Sequence, residues 1–220
     1  MAPHGPRCEP ERQGAPGLLA DRVVAWYSEQ HAEPPALPCL SSTTDMHPLS
    51  EHPLDGEFAP FYANYIAQVP KGDVLRTLAT QIGETLTLVR ALPEERGGFR
   101  YAPGKWSIRE VLGHLIDTER IFDHRALSIA RGDANPLAGF DENAYALASG
   151  SDHRTIADLA AELEIVRRST VALFSSFSGE AIRRRGTANN NAVSVRAVPF
   201  IIAGHERHHL HILRSRYLSA

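Results

Sequence analysis

Four stretches of this chain repeat apolar side chains every three or four residues, the spacing of one helix face. The first carries Val74, Leu78, Ile82, Leu86 and Val89, can be capped by Gly72 or Asp73, and is stopped by Pro93. The second opens on Ser107-Ile108-Arg109-Glu110, a capping box, and continues through Val111, Leu115, Phe122 and Ile129 to about Ala130. Thr155 caps the third, which holds Ile156, Leu159, Leu163, Val166 and Leu173. The last runs from about Ser194 to Tyr217, with Pro199 disturbing its first turn. Phe58 to Val69 adds a short aromatic-rich piece ending at Pro70. Almost nothing reads as strand, and residues 178–193 read as irregular. Residues 56–220 are therefore expected to form an all-α four-helix bundle. Its loops near residues 93–106, 131–154 and 178–193 are long enough to shape a pocket mouth.

Residues 1–55 differ. Prolines recur from Pro3 to Pro53, a Ser41-Ser42-Thr43-Thr44 run interrupts them, and only Leu18 to Gln30 could make a short helix. Such a segment buries too little apolar surface to offset its ordering entropy, so a disordered extension is expected. Met46 stands at its end as an alternative start. Both cysteines, Cys8 and Cys39, fall here, which removes a disulfide framework or a thiolate metal site from the rest of the chain. A net charge of −3 argues against a nucleic-acid partner. No apolar run is long enough for a membrane span and no signal-peptide core follows Arg7 and Arg12, so a cytoplasmic protein is expected.

Histidine is the anomaly. Of the 11 in the chain, His205, His208, His209 and His211 crowd one segment. At about 100° per residue, His205 and His209 stand about 40° apart on one helix face, amid Val198, Ile201, Ile202, Ile212 and Leu213. An apolar face rarely spends two neighbouring positions on imidazoles without a shared partner, and one metal ion satisfies both. His208 and His211 point away from that stripe. A working site needs a third ligand. His114 and His124 lie on the capping-box helix and His153 in a loop; His114, beside Val111 and Leu115, borders the apolar stripe, though spacing alone leaves His124 open.

His205-Glu206-Arg207-His208-His209 also matches H-E-x-x-H, in which the Glu is a general base. That pattern needs a downstream ligand, and only His211 follows, too close to fold back. Glu206, about 100° from His205, reads as a solvated charge.

The segment from Tyr101 through Pro103-Gly104-Lys105-Trp106-Ser107 to Gly113-His114-Leu115-Ile116-Asp117 and Glu119 resembles the DinB-like superfamily, its YfiT-like branch in particular. So do Gly139-Phe140-Asp141-Glu142-Asn143-Ala144-Tyr145 and Gly204-His205-Glu206-Arg207-His208-His209. The likeness covers about residues 58–218. It implies an up-down-down-up bundle with a long crossover and a divalent metal, often zinc or nickel, held by His114, His205 and His209. Such families include S-transferases and isomerases that use low-molecular-weight thiols, and proteins named metal-dependent hydrolases.

Three neutral imidazoles leave a metal its full charge and at least one open position, which suits activation of water or of a small-molecule thiol. Asp117 could orient a ligand. Asp141 and Tyr145 could line the pocket, Trp106 reads as a core plug, and a basic pocket from Arg183 to Arg185 and Arg196 would favour an anionic thiol. The expectation is an S-transferase acting on a small-molecule substrate, with a metal hydrolase and a non-enzymatic metal-binding stress protein as the other readings. A homodimer is one assembly open to it.

Overall fold

The structure, a computed structural model, describes residues 49–218. The bulk of the expected extension, with both cysteines, lies outside the described residues. Within residues 49–55, a side chain reaches the bundle. Leu49 is fully buried against the bundle, and its carbonyl accepts from Val74 N at 3.1 Å. Leu49 stands among prolines and polar residues, where no helical periodicity marks it for burial.

A 3-10 turn over Pro60–Tyr62 leads into α1 (Ala63–Ile66). The first long helix, α2 (Val74–Arg90), is capped by Asp73, which accepts from Leu75 N and Arg76 N. The second, α3 (Ile108–Ala130), starts at the expected capping box: Ser107 Oγ accepts from Glu110 N at 3.0 Å, and Glu110 Oε2 accepts from Ser107 N at 2.8 Å. A short α4 (Glu142–Ala148) precedes α5 (Ile156–Ser175), capped by Thr155. Then come α6 (Gly179–Arg183), strands β1 (Arg185–Ala188) and β2 (Asn191–Ser194), and α7 (Ala197–Ile212), which loosens into a π turn over Leu213–Tyr217.

The four long helices form a ring in which α2 packs on α5, α5 on α3, α3 on α7 and α7 on α2. Sequential pairs α2–α3 and α5–α7 are diagonal, so residues 91–107 and 176–196 cross the bundle, as the long loops required. The hairpin corrects the reading of 178–193. Its strands are antiparallel, Ala188 opposite Asn191, and the two-residue turn sets Asn189 and Asn190 at φ 50° and 60°. Asparagine tolerates that left-handed backbone, which twists the turn to match the strands. Leu137 joins the edge: Leu137 N donates to Thr187 O, and Asn189 N to Leu137 O.

The bundle's middle is polar, and here Glu206 is corrected. It is 1% exposed and points into the helix junction rather than to water. Arg167, equally buried on α5, donates Nε to Glu119 Oε1 at 2.8 Å, Nη2 to Glu119 Oε2 at 2.9 Å and Nη1 to Glu206 Oε2 at 2.8 Å. Thr85 Oγ1 donates to Glu206 Oε1 at 2.6 Å, and Gln81 Nε2 donates to both Glu206 Oε2 and Ala203 O. All four long helices meet in this network. Counting 100° steps from His205 places Glu206 off the site but cannot distinguish solvent from a second buried face, because α7 is enclosed on several sides.

Candidate metal centre

His114 comes from the second turn of α3, and His205 and His209 from successive turns of α7. His114 and His205 are buried, at 4% and 8% exposure, and His209 is partly buried. A glycine precedes each of the first two. A Cβ at Gly113 would strike the Ser151 hydroxyl, and one at Gly204 would strike the Tyr65 carbonyl. The missing side chains let the flanking segments close over the histidines. Tyr65 packs edge-on to His205, with ring centroids 5.6 Å apart, and Trp106 lies 4.6 Å from His114 and 6.5 Å from His209.

The three rings aim their nitrogens at one point. Nε2 of His205 lies 3.0 Å from Nε2 of His114 and 3.0 Å from Nε2 of His209, and the candidate ligand atoms all lie within 4.8 Å of one another. Tetrahedral zinc with nitrogen ligands at about 2.0–2.1 Å separates neighbouring nitrogens by about 3.3 Å, so this spacing fits one ion. Imidazole N–H donors alone satisfy such a cluster poorly, since neutral His205 offers Nε2 either as one donor or as one acceptor. The Thr118 hydroxyl oxygen lies 3.4 Å from His114 Nδ1, in place to accept its proton and leave Nε2 the lone pair. Burial lowers His114 to about 4. Burial, and then the imidazoles of His114 and His208, lower His209 to about 3. His205 falls well below its ordinary value, again through burial first. All three are neutral at pH 7 and able to ligate.

Other sequence expectations separate here. His124, His153 and His211 are exposed and stand apart, and His208 packs on Tyr65. Asp117 does not join the cluster; the charged groups around it are Arg120, Glu162 and Arg154, and Thr118 is the residue at the imidazole. Asp141 is the N-cap of α4, accepting from Asn143 N and Ala144 N, and Tyr145 is turned out against Phe140. Arg185 and Arg196 pair with Glu57. Trp106 walls the histidines.

Among the described residues, two sizeable clefts reach the triad. The larger, about 320 Å³, is bounded by His114, His205, Tyr65, Arg125, Phe140 and Asn189. The smaller, about 230 Å³, is bounded by His209, Trp106, Tyr101, Lys105 and Asn143. Glu142, at the start of α4, borders both. Sequence reasoning missed Arg125 and Asn189. The two-asparagine turn was a signal for the second; for the first, only its place three turns after His114 on the same face.

No curated protein matches the sequence. Among solved structures, that of YfiT from Bacillus subtilis, described as a probable metal-dependent hydrolase with an unusual four-helix bundle topology, aligns with a TM-score of 0.56. The identity is 16%, over 77% of this chain and 95% of that one, a likeness of fold. The family model of the DinB superfamily matches residues 77–213, which take in α3, α5, α7 and all three histidines, so the chain belongs to the DinB superfamily.

Proposed function

We propose that this protein is a metal-dependent enzyme that joins a small-molecule thiol to an electrophilic substrate. His114, His205 and His209 hold one divalent ion, zinc or nickel. The observation that carries this reading is the pair of clefts meeting at the triad, one against His114 and His205 and the other against His209. Hydrolysis needs room for one organic molecule and water, whereas transfer between two organic molecules needs two seats.

An ion held by three neutral imidazoles keeps its full charge and lowers the pKa of a thiol or water bound to it. The chain supplies the rest. Burial keeps the imidazoles unprotonated, Thr118 is placed to accept the His114 Nδ1 proton, and Trp106 and Tyr65 pack against the rings. No cysteine lies among the described residues, so the small molecule brings the sulfur. In the transfer, sulfur bonds to the electrophilic carbon, the leaving group departs with the bonding pair, and the thiol proton passes to solvent. Both clefts give access to the triad, which speaks against a purely structural ion. The hydrolase reading draws on the description of YfiT. Glu206 does not serve it as a base, because both its oxygens are taken.

The test is formation of the fluorescent thioether from monochlorobimane and 2-mercaptoethanol, with zinc-loaded, nickel-loaded and metal-free protein. A rate above background that needs the metal supports transfer. No acceleration, together with metal-dependent cleavage of p-nitrophenyl esters, would favour hydrolysis.

A further inference from the structure

Arg125 is 4% exposed, and arginine is charged at any ordinary pH. Buried charges are normally paired. Among the described residues, Arg167 follows that rule with Glu119 and Glu206, and Arg196 with Glu57. Arg125 does not. Among the described residues no carboxylate comes within 4.0 Å of it. Its Nη2 donates to Ala138 O at 2.8 Å, its guanidinium carbon lies 5.3 Å and 5.9 Å from the ring centroids of Phe122 and Phe140, and the Tyr62 phenol stands beside it. All of these partners are neutral.

The arginine borders the larger cleft, the one that reaches His114 and His205. His114, Thr118, Phe122 and Arg125 follow one stripe of α3, within about 80° of one another at 100° per residue. Eleven residues at 1.5 Å rise put the two ends about 16 Å apart between Cα atoms. Both side chains lean toward the helix N-terminus, so only the arginine's extra length shortens the gap, to roughly 10–15 Å. Glu142, the carboxylate on this cleft, is exposed at the mouth, where it adds to the raised values of the Tyr62 and Tyr65 phenols.

We infer that Arg125 receives an oxyanion, a carboxylate or a phosphate, at one end of the molecule that fills the larger cleft, whose reacting end lies at the histidines. The planar guanidinium fork suits both anions. The two aromatic faces and the desolvated floor make the pairing stronger than it would be at the surface. This rests on the metal reading of the triad for the position of the reacting end, not for the anion seat. The substrate class is therefore an elongated acid, with its charge roughly 10–15 Å from the group that reacts.

Hydroxamates test this without assuming any reaction, since they bind a metal directly. The monohydroxamates of adipic, suberic and sebacic acid step the acid across the required span, and their methyl esters remove the charge. Calorimetry on zinc-loaded protein should find one chain length at which the acid binds about 10-fold tighter than its ester. Arg125→Gln should erase that difference and leave acetohydroxamate binding unchanged. Equal affinity of acid and ester at every length, with acetohydroxamate still bound, overturns the inference and leaves the metal reading standing; this comparison needs only the wild-type protein. On metal-free protein, suberate and octyl phosphate should each be titrated against the Arg125 Nε–Hε NMR resonance. A saturable shift supports the seat, and the tighter of the two identifies the oxyanion. A shift there with no hydroxamate binding would sink the metal reading alone, and no shift with either anion would sink the inference.

Discussion

Arg167 on α5 donates its Nη1 proton to Glu206 Oε2 at 2.8 Å, and the next residue back from Glu206 is His205. The bundle's central ion pair and the candidate metal centre are thus consecutive positions of one helix. The network fixes the rotation of α7, and that rotation sets where His205 and His209 point. Replacing Arg167 by Met strands two buried carboxylates and should cost about 3–5 kcal/mol of unfolding free energy. Glu206→Gln keeps the Arg167–Glu119 pair and should cost about 1–3 kcal/mol. Urea denaturation of the two variants checks the order; a harmless Arg167→Met would show that the network does not hold the helices.

Ligand choice on α7 separates by face. His209→Ala should lose the metal, whereas His208→Ala and His211→Ala should keep about one equivalent, because only His209 shares the nitrogen cluster with His205 and His114. Atomic-emission analysis of the dialysed proteins decides between them.

Much of this was legible in the sequence. Asp73, the Ser107–Glu110 box and Thr155 announce the long helices with local chemistry, and the apolar stripe around His205 and His209 marks an inward face. What escaped depends on tertiary neighbours. Glu206 reads as solvated unless α2 and α5 are known to flank it with Thr85, Gln81 and Arg167. Arg125 reads as an ordinary helix arginine until the 131–141 loop folds over it. The hairpin is four residues per strand, too short for alternation to register.

Gly204 is required by a backbone neighbour. A methyl there meets the carbonyl group of Tyr65, which cannot rotate aside. Gly204→Ala should destabilise by about 1–3 kcal/mol, displacing α1 from α7. Thermal melts should show it, and near-ultraviolet circular dichroism should report the moved Tyr65.

Acid should weaken the metal-free protein. Between pH 6.5 and about 4 the unfolded chain protonates imidazoles that the folded chain keeps neutral, so stability falls as pH falls through that window. Asp123 acts in the opposite sense. Burial raises its carboxyl to about 7, so its proton, retained in the folded state above 3.8, gives a contribution lost as pH rises through about 7. Three histidines outweigh one carboxyl, so the net slope between pH 6.5 and 4 should be positive with pH. Chemical denaturation across that range, in chelator, would show the opposite trend if the imidazoles were charged in the fold.

The central claim is that one divalent ion is shared by side chains from two helices, so the ligand from α3 is the decisive one. His114 lies 91 positions from His205 in sequence and 3.0 Å from it in space. Zinc titration by calorimetry should give one site per chain for the wild-type protein. For His114→Ala, with its helical circular dichroism intact, it should show affinity weakened at least 100-fold. A wild-type protein that takes up no zinc or nickel, or a folded His114→Ala variant that binds as tightly, would contradict the account.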